Sequence, residues 1–257
     1  MLPVDEESAS VLAYHLVGAG TTSPVDLPEE VFRRQMEELQ ALARPVHLAD
    51  LVERIERPSR SESRLVAVTF DDAFRNFFER VWPVVVEYGI PVTLFVPVGF
   101  LEGAAPSPLR GATDLAPLSW DELREMIRSG LVSVGSHGFL HRDFRRLGAD
   151  EIGEDLARAR ETLRRRLGVE ARAFCYPRGL WSPRVEQEVA RWHDIAVVGG
   201  GRRPRAETFA PLRVSRVPLR RDSPLSLRPI LEAPIWIEEL VADYARRRRV
   251  LLSAFLR

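Results

Sequence analysis

The stretch LVAVTFDDAF, residues 65–74, sets a strand-like apolar run directly against two adjacent carboxylates, Asp71 and Asp72. Its β-branched content reads as a buried strand, and the two acids fall at that strand's C-terminal end. Like charges at contact distance raise each other's pKa and resist burial, so a purely structural role for both is costly unless something cationic lies close by. A metal ion or a proton-transfer task would relieve that cost. The plainer alternative is a helix N-cap pair stabilised by the helix dipole, worth about 1 kcal/mol.

Outward from this stretch, strand-like runs alternate with helical patterns, as in an α/β fold with a largely parallel sheet. VLAYHLV (11–17) reads as a first strand, and LPEEVFRRQMEELQALA (27–43) as an amphipathic helix with Val31, Phe32, Met36 and Leu39 on one face. Strand 64–70 is followed by a helical segment over 73–89, kinked at Pro83 and ending at Gly89. PVTLFVPV (91–98) is a strand, and residues 99–117 form a Gly-, Pro- and Ala-rich loop. Ser119 and Glu122 have capping-box spacing for a short helix that ends near Gly130. Strand LVSVGSHG (131–138), helix 150–168, strand ARAFCYP (171–177), helix 182–192, strand DIAVVGG (194–200) and a last short strand at 212–219 complete the order. This order predicts a distorted or incomplete (β/α) barrel of about seven strands. In such barrels the chemistry gathers at the C-terminal strand ends, which here carry His15, Asp71, Asp72, His137, His141 and the segment Tyr176 to Gly179.

The composition is that of an ordinary globular chain: 257 residues, 45% hydrophobic and 29% charged. The 37 basic residues, all Arg, balance 37 acidic ones, so no general attraction to nucleic acid is expected. The single Cys, Cys175, cannot form an intrachain disulfide and fits a reducing compartment. The acidic opening MLPVDEESAS has no basic-then-apolar leader, and no run approaches the roughly 18 apolar residues of a membrane span. The corresponding expectation is a cytoplasmic protein.

SHGFLH places His137 and His141 four residues apart just after an apolar strand. On a helical turn that spacing shares one face, so both imidazoles could reach one metal ion with a carboxylate completing the set. Taken alone, the pair is as compatible with two packed or surface histidines.

Together with TFDDAF and FCYPRG, the pair resembles the polysaccharide deacetylases, the nodulation-type family also called carbohydrate esterase family 4. Thr69, Phe70, Asp71 and Asp72 match a Thr-Phe-Asp-Asp-Gly motif with Ala73 in the last place, and His137 and His141 match the second motif. The resemblance runs over about residues 10 to 220, which sets a catalytic barrel at 1–220 apart from a C-terminal linker and helix at 221–257. It implies Asp71 as general base, with Asp72, His137 and His141 as ligands of a divalent metal, Zn2+ first among the choices. It also implies an oxyanion donor at the backbone amide of Arg178, and Tyr176 and Pro177 as walls of an acetyl pocket. His15 is a candidate to line the site and touch substrate, whereas for His193, at a helix end, favourable placement by the helix dipole is the expectation.

Three positions depart from the family pattern. Gly138 replaces a Ser or Thr whose hydrogen bond steadies the loop between the histidines. Cys175 replaces an Arg that orients the catalytic Asp. No late Leu-x-His segment supplies a general acid.

The tail is read as a linker, RPILEAP, followed by a helix from Ile235 that packs on the barrel or on a second copy of the chain, with peripheral contact to an anionic membrane surface as the alternative. The activity implied is metal-dependent removal of an N-acetyl group from an amino sugar in an oligosaccharide, glycolipid or glycoside. Two other readings stay open: hydrolysis of another small or cyclic amide on the same fold, and a catalytically silent carbohydrate-binding or scaffold protein.

Overall fold

The structure is a computed structural model that describes residues 9–57, 64–110, 112–200, 204 and 209–232. The expected tail helix lies outside these residues. Seven parallel strands form the wall: Ala9–Tyr14 (β1), Leu65–Phe70 (β2), Val92–Val96 (β3), Val132–Ser136 (β4), Ala173–Cys175 (β5), Ile195–Gly199 (β6) and Val214–Pro218 (β7). Each pairs with the next, and β1 pairs both with β2, from Ala9↔Leu65 to Tyr14↔Phe70, and with β7, at Leu12↔Val217 and Ala13↔Pro218. The barrel is therefore closed, with seven strands. Arg44–Pro45 adds a short strand beside the start of β2.

Among the described residues eight helices surround or cap this wall: Glu29–Leu42 (α1), Leu48–Glu56 (α2), Trp82–Tyr88 (α3), Val98–Leu101 (α4), Trp120–Arg128 (α5), Ala149–Leu167 (α6), Pro183–Val189 (α7) and Arg228–Glu232 (α8). The capping box at Ser119 and Glu122 forms as its spacing predicts. Ahead of Pro83 the chain makes a π-helical turn, Phe77–Val81, in which Trp82 N donates to Phe77 O. That turn absorbs the clash between the proline ring and the preceding turn, which is the physical content of the expected kink.

Three local differences from the sequence reading have simple causes. The first strand stops at Tyr14, whose carbonyl accepts from Asp71 N at 3.0 Å, and Leu16–Val17 then pairs with Asp26–Leu27. The segment read as a loop from residue 99 begins inside α4, a single turn in which Glu102 N donates to Val98 O at 3.1 Å and Gly99 sits against Phe139 O with no room for a Cβ. The linker segment RPILEAP opens with α8, whose Leu231, with Leu227 just before it, is buried in the main core, and Leu227 N donates to Glu38 of α1 at 3.0 Å. No helix among the described residues is long and apolar enough to cross a membrane.

Side chains alternate along each strand, so one set fills the barrel and the other faces the helices. Ala9, Val11, Leu65, Ala67, Phe95, Cys175, Ile195, Val197 and Val214 form the inner core, closed at the N-terminal end by Leu48, Leu51 and Val52 of α2. The opposite set includes Leu12, Tyr14, Val66, Val68, Phe70, Val92 and Leu94, packed under α1, α3 and α5. Inward parity also brings Thr69, Cys175 and Arg216 together, and carries Asp71 and His137 to the C-terminal mouth.

Candidate metal centre and active site

A cavity of about 570 Å³ opens at the C-terminal mouth of the barrel and is lined by His15, Asp71, Asp72, His137, His141 and Arg178 among others. Six of the eight residues singled out from the sequence thus share one chamber. Tyr176 and Pro177 do not line it. Cys175 faces into the barrel, so its neighbours Phe174 and Tyr176 face outward; the Tyr176 ring packs edge-on to Phe174, and its hydroxyl donates to Leu212 O at 3.1 Å. Strand parity thus turns the Tyr176 ring away from the expected acetyl-pocket wall, and Pro177 is buried in the turn that follows.

Asp71 and Asp72 are both buried, and the paradox of their adjacency is resolved by giving each a different partner. Arg216, on β7, donates from Nη1 to Asp71 Oδ1 at 2.7 Å and from Nη2 to Asp71 Oδ2 at 2.8 Å, a bidentate fork. Nη1 also reaches Thr69 Oγ1 at 3.1 Å, Nη2 lies 3.1 Å from Cys175 Sγ, and the guanidinium stands over the Phe95 ring. Burial pushes Asp71 up, but the attraction and hydrogen bonds of Arg216, joined by His15, outweigh it and hold the carboxyl well below the usual range. Asp72 has no such cation: burial, then the charge of Asp71, push it well above its usual value.

What Asp72 faces instead is a pair of imidazoles. His137 Nε2 lies 3.7 Å and His141 Nε2 3.8 Å from Asp72 Oδ1, too long for hydrogen bonds. The three donor atoms lie within 4.8 Å of one another. His137 Nδ1 is 2.7 Å from Cys175 O and donates to it, which fixes the tautomer and leaves the Nε2 lone pair directed at the other two ligands. Burial lowers the pKa of both histidines, that of His141 to about 2, so both are neutral and able to coordinate. A buried, uncompensated carboxylate beside two neutral imidazoles fits a divalent cation well. Asp71, His137 and Cys175 also lie close together. That trio fits a metal poorly, because Arg216 occupies both Asp71 oxygens and burial pushes the Cys175 thiol far up.

The histidine pair does not ride on a helical turn as the spacing suggests. Gly138 has φ +76° and His141 φ +51°, so the segment folds into a tight loop that brings the two ring centroids to 4.6 Å. Asp155 of α6 clamps that loop: Phe139 N donates to its Oδ1 at 2.6 Å and Leu140 N to its Oδ2 at 3.1 Å. A Cβ at position 138 would stand 2.9 Å from Asp155 Oδ1. Gly138 therefore makes room for a carboxylate that does the steadying a hydroxyl would have done.

Backbone strain is gathered here as well. The non-glycine residues with positive φ among the described residues are Asp72 (+74°), Ala73 (+50°), His141 (+51°) and Arg178 (+59°), one or more in each of the three motifs. The turn after Asp72 is tied down where Leu118 N donates to Ala73 O at 2.9 Å.

His15 Nε2 stands 3.6 Å from Asp71 Oδ2, its Nδ1 has no partner among the described residues, and burial lowers its pKa to about 4. His193 is no cation at a helix end. It is buried, stacks on Phe174 at 5.2 Å and bonds Ala171 O through Nδ1, and burial lowers its pKa to about 4.

Arg216 escapes a reading of motifs because it lies outside all three. The signal was the alternation of RVSRVP, in which Arg216 shares the inward parity of Val214. Its guanidinium lies against Cys175, the residue that stands where the resemblance implies an arginine.

The family model described as polysaccharide deacetylase matches residues 59–197, more than half of the chain and all three motifs. The chain belongs to the polysaccharide deacetylase family. A stretch of 98 residues is 29% identical to the poly-β-1,6-N-acetyl-D-glucosamine N-deacetylase of Escherichia coli K12; it is 36% of this chain and 14% of that enzyme's length. Among solved structures, the deacetylase PplD of Streptococcus pyogenes, in complex with acetate, superposes with a TM-score of 0.77 at 18% identity, over 90% of this chain and 98% of that one. IcaB from Ammonifex degensii superposes at 0.70 with 24% identity, over 82% and 91%. At these identities the two superpositions speak to the fold.

Proposed function

We propose that the chain is a metal-dependent N-deacetylase that hydrolyses the acetamido group of an amino sugar. The observation that carries this reading is the division of labour between adjacent acids: Asp72 faces two neutral imidazoles, while Asp71, buried beside it, is gripped by Arg216 and faces the same cavity. A structural acid pair has no need of that asymmetry.

Asp72, His137 and His141 would hold the ion, with Zn2+ the choice that suits two imidazoles and a carboxylate. Such an ion supplies a Lewis acid for the carbonyl and lowers the pKa of a water in its open position. The protein's own residues do the rest. Arg216 keeps Asp71 ionised and oriented, and Asp71 accepts the proton of the attacking water. A carboxylate whose pKa is held down becomes a strong acid once protonated, so Asp71 then returns that proton to the departing nitrogen as the C–N bond breaks, releasing acetate and an amine. This return makes a separate late histidine unnecessary. The Arg178 backbone, turned by its positive φ, is the proposed oxyanion donor, and His15 lines the wall against the sugar. The similarity to the E. coli poly-N-acetylglucosamine deacetylase supports an N-acetylated sugar as substrate class.

Acetate release should be followed across N-acetylated sugars from monosaccharide to lipid-linked forms, before and after chelation and with zinc added back. Chelator-sensitive release restored by zinc supports the reading. No release from any sugar by zinc-loaded protein removes it.

A further inference from the structure

The chain as a whole carries no net charge, yet the walls around the acid pair do not share that balance. On the main cavity the acidic residues among the lining are Asp71 and Asp72, and the arginines are Arg178, Arg216 and Arg220. Arg216 and Asp71 neutralise one another, and Asp72 is directed at the histidines. Arg178 and Arg220 are left over, and neither guanidinium has a hydrogen-bond or ion-pair partner among the described residues.

A second cavity of about 380 Å³ adjoins the first and shares Pro108, His141 and Arg178 with it. Its wall adds Arg142 and Arg146, against Asp143 as the acidic residue there. Asp143 is already held by Arg145 through a bidentate contact at 3.0 and 2.9 Å, so Arg146, 3.6 Å from Asp143 through Nε, shares a carboxylate that a second arginine already neutralises. Arg142 is only loosely paired, 3.5 Å from Glu151 and 3.8 Å from Asp155, and its Nε has no hydrogen-bond partner among the described residues. Arg178 stands between the two cavities, so its charge serves both.

We propose that these arginines form an anion subsite, and that the sugar the enzyme deacetylates carries a phosphate or carboxylate beside its acetamido group. This rests on the deacetylase reading for the position of the acetamido group. Guanidinium forks match both acidic groups and are weakly hydrated, which suits them to this task. Uncompensated positive charge at a concave mouth also draws an anionic ligand from solution. A neutral glycan gives such a wall nothing to neutralise.

The test titrates N-acetylglucosamine, N-acetylglucosamine 6-phosphate and N-acetylmuramic acid into the full-length protein by calorimetry, with zinc and again after chelation. Either acidic sugar is expected to bind about tenfold or more tightly than the neutral one in both forms, and the arm that does so names the acid. Raising the salt should weaken only the acidic sugars. Arg220→Gln and Arg146→Gln, both at exposed positions, should each cut the acidic preference about fivefold. Equal affinities, no measurable binding of either acidic sugar, a preference that vanishes on chelation, or one that survives both substitutions overturns the proposal. Acetate release is scored separately: release from neutral oligomers without an acidic preference strikes only the subsite, and an acidic preference without any release strikes only the deacetylase.

Discussion

Asp71 and Arg216 form the contact on which the chemistry turns, and they are 145 residues apart in sequence. The aspartate was legible, because adjacent acids at a strand end need an explanation and the motif around them supplies one. The arginine was not, because its role depends on barrel closure bringing β7 beside β1, and parity alone cannot say which inward residue meets which. Arg216→Lys keeps a cation but loses the fork, so kcat is expected to fall about ten- to a hundredfold with metal content unchanged. Arg216→Met removes the charge that holds Asp71 down. Burial then raises the base, and the acid limb of the pH–rate profile should move to higher pH. A profile that stays in place in Arg216→Met, with activity intact, would show that Arg216 serves only to pack the barrel.

At the scale of elements, the loop 137–141 and helix α6 act as one device. The sequence announces both, the loop by its two histidines and the helix by its periodicity, but nothing in either says that Asp155 reaches back to the loop's amides. Its position on the buried face of an otherwise charged helix is the trace it leaves. Asp155→Asn replaces an acceptor oxygen with a donor against a backbone N–H, and zinc affinity is expected to fall about tenfold or more. Competitive chelation would measure it, and an unchanged affinity would confine Asp155 to stabilising the fold. Helix α2 is written into the sequence by Leu48, Leu51, Val52 and Ile55, which have the spacing of one apolar helical face, but nine residues without a motif are easily taken for a loop. It plugs the end of the barrel away from the site, so the function could be read without it.

For the whole molecule, the strand order and the strand count were legible because a parallel barrel buries both faces of each strand and writes near-continuous apolar runs into the sequence. Closure itself was not, since two end strands of six and five residues can pair or splay with the same local pattern. Global stability should carry the mark of its buried neutral histidine outside the site. In the folded chain the pKa of His193 is about 4, while the unfolded residue titrates near its ordinary value of 6.5. Between those values the unfolded state binds the extra proton, so stability is full above about pH 6.5 and falls as pH drops through the window, by at most about 1.4 kcal/mol per unit. Denaturant unfolding of wild type and His193→Asn across pH 4 to 7 checks this: the variant should start less stable and show a shallower slope. Parallel slopes would assign the acid sensitivity elsewhere.

The central claim is that adjacent acids divide the work, one holding the ion and the other moving the proton. Asp71→Asn tests it most directly, with zinc content and acetate release measured on the same preparation beside wild type. The account predicts about one zinc per chain in both proteins and a loss of about a thousandfold or more in turnover. Wild-type turnover in Asp71→Asn, or loss of zinc with its activity, would contradict it.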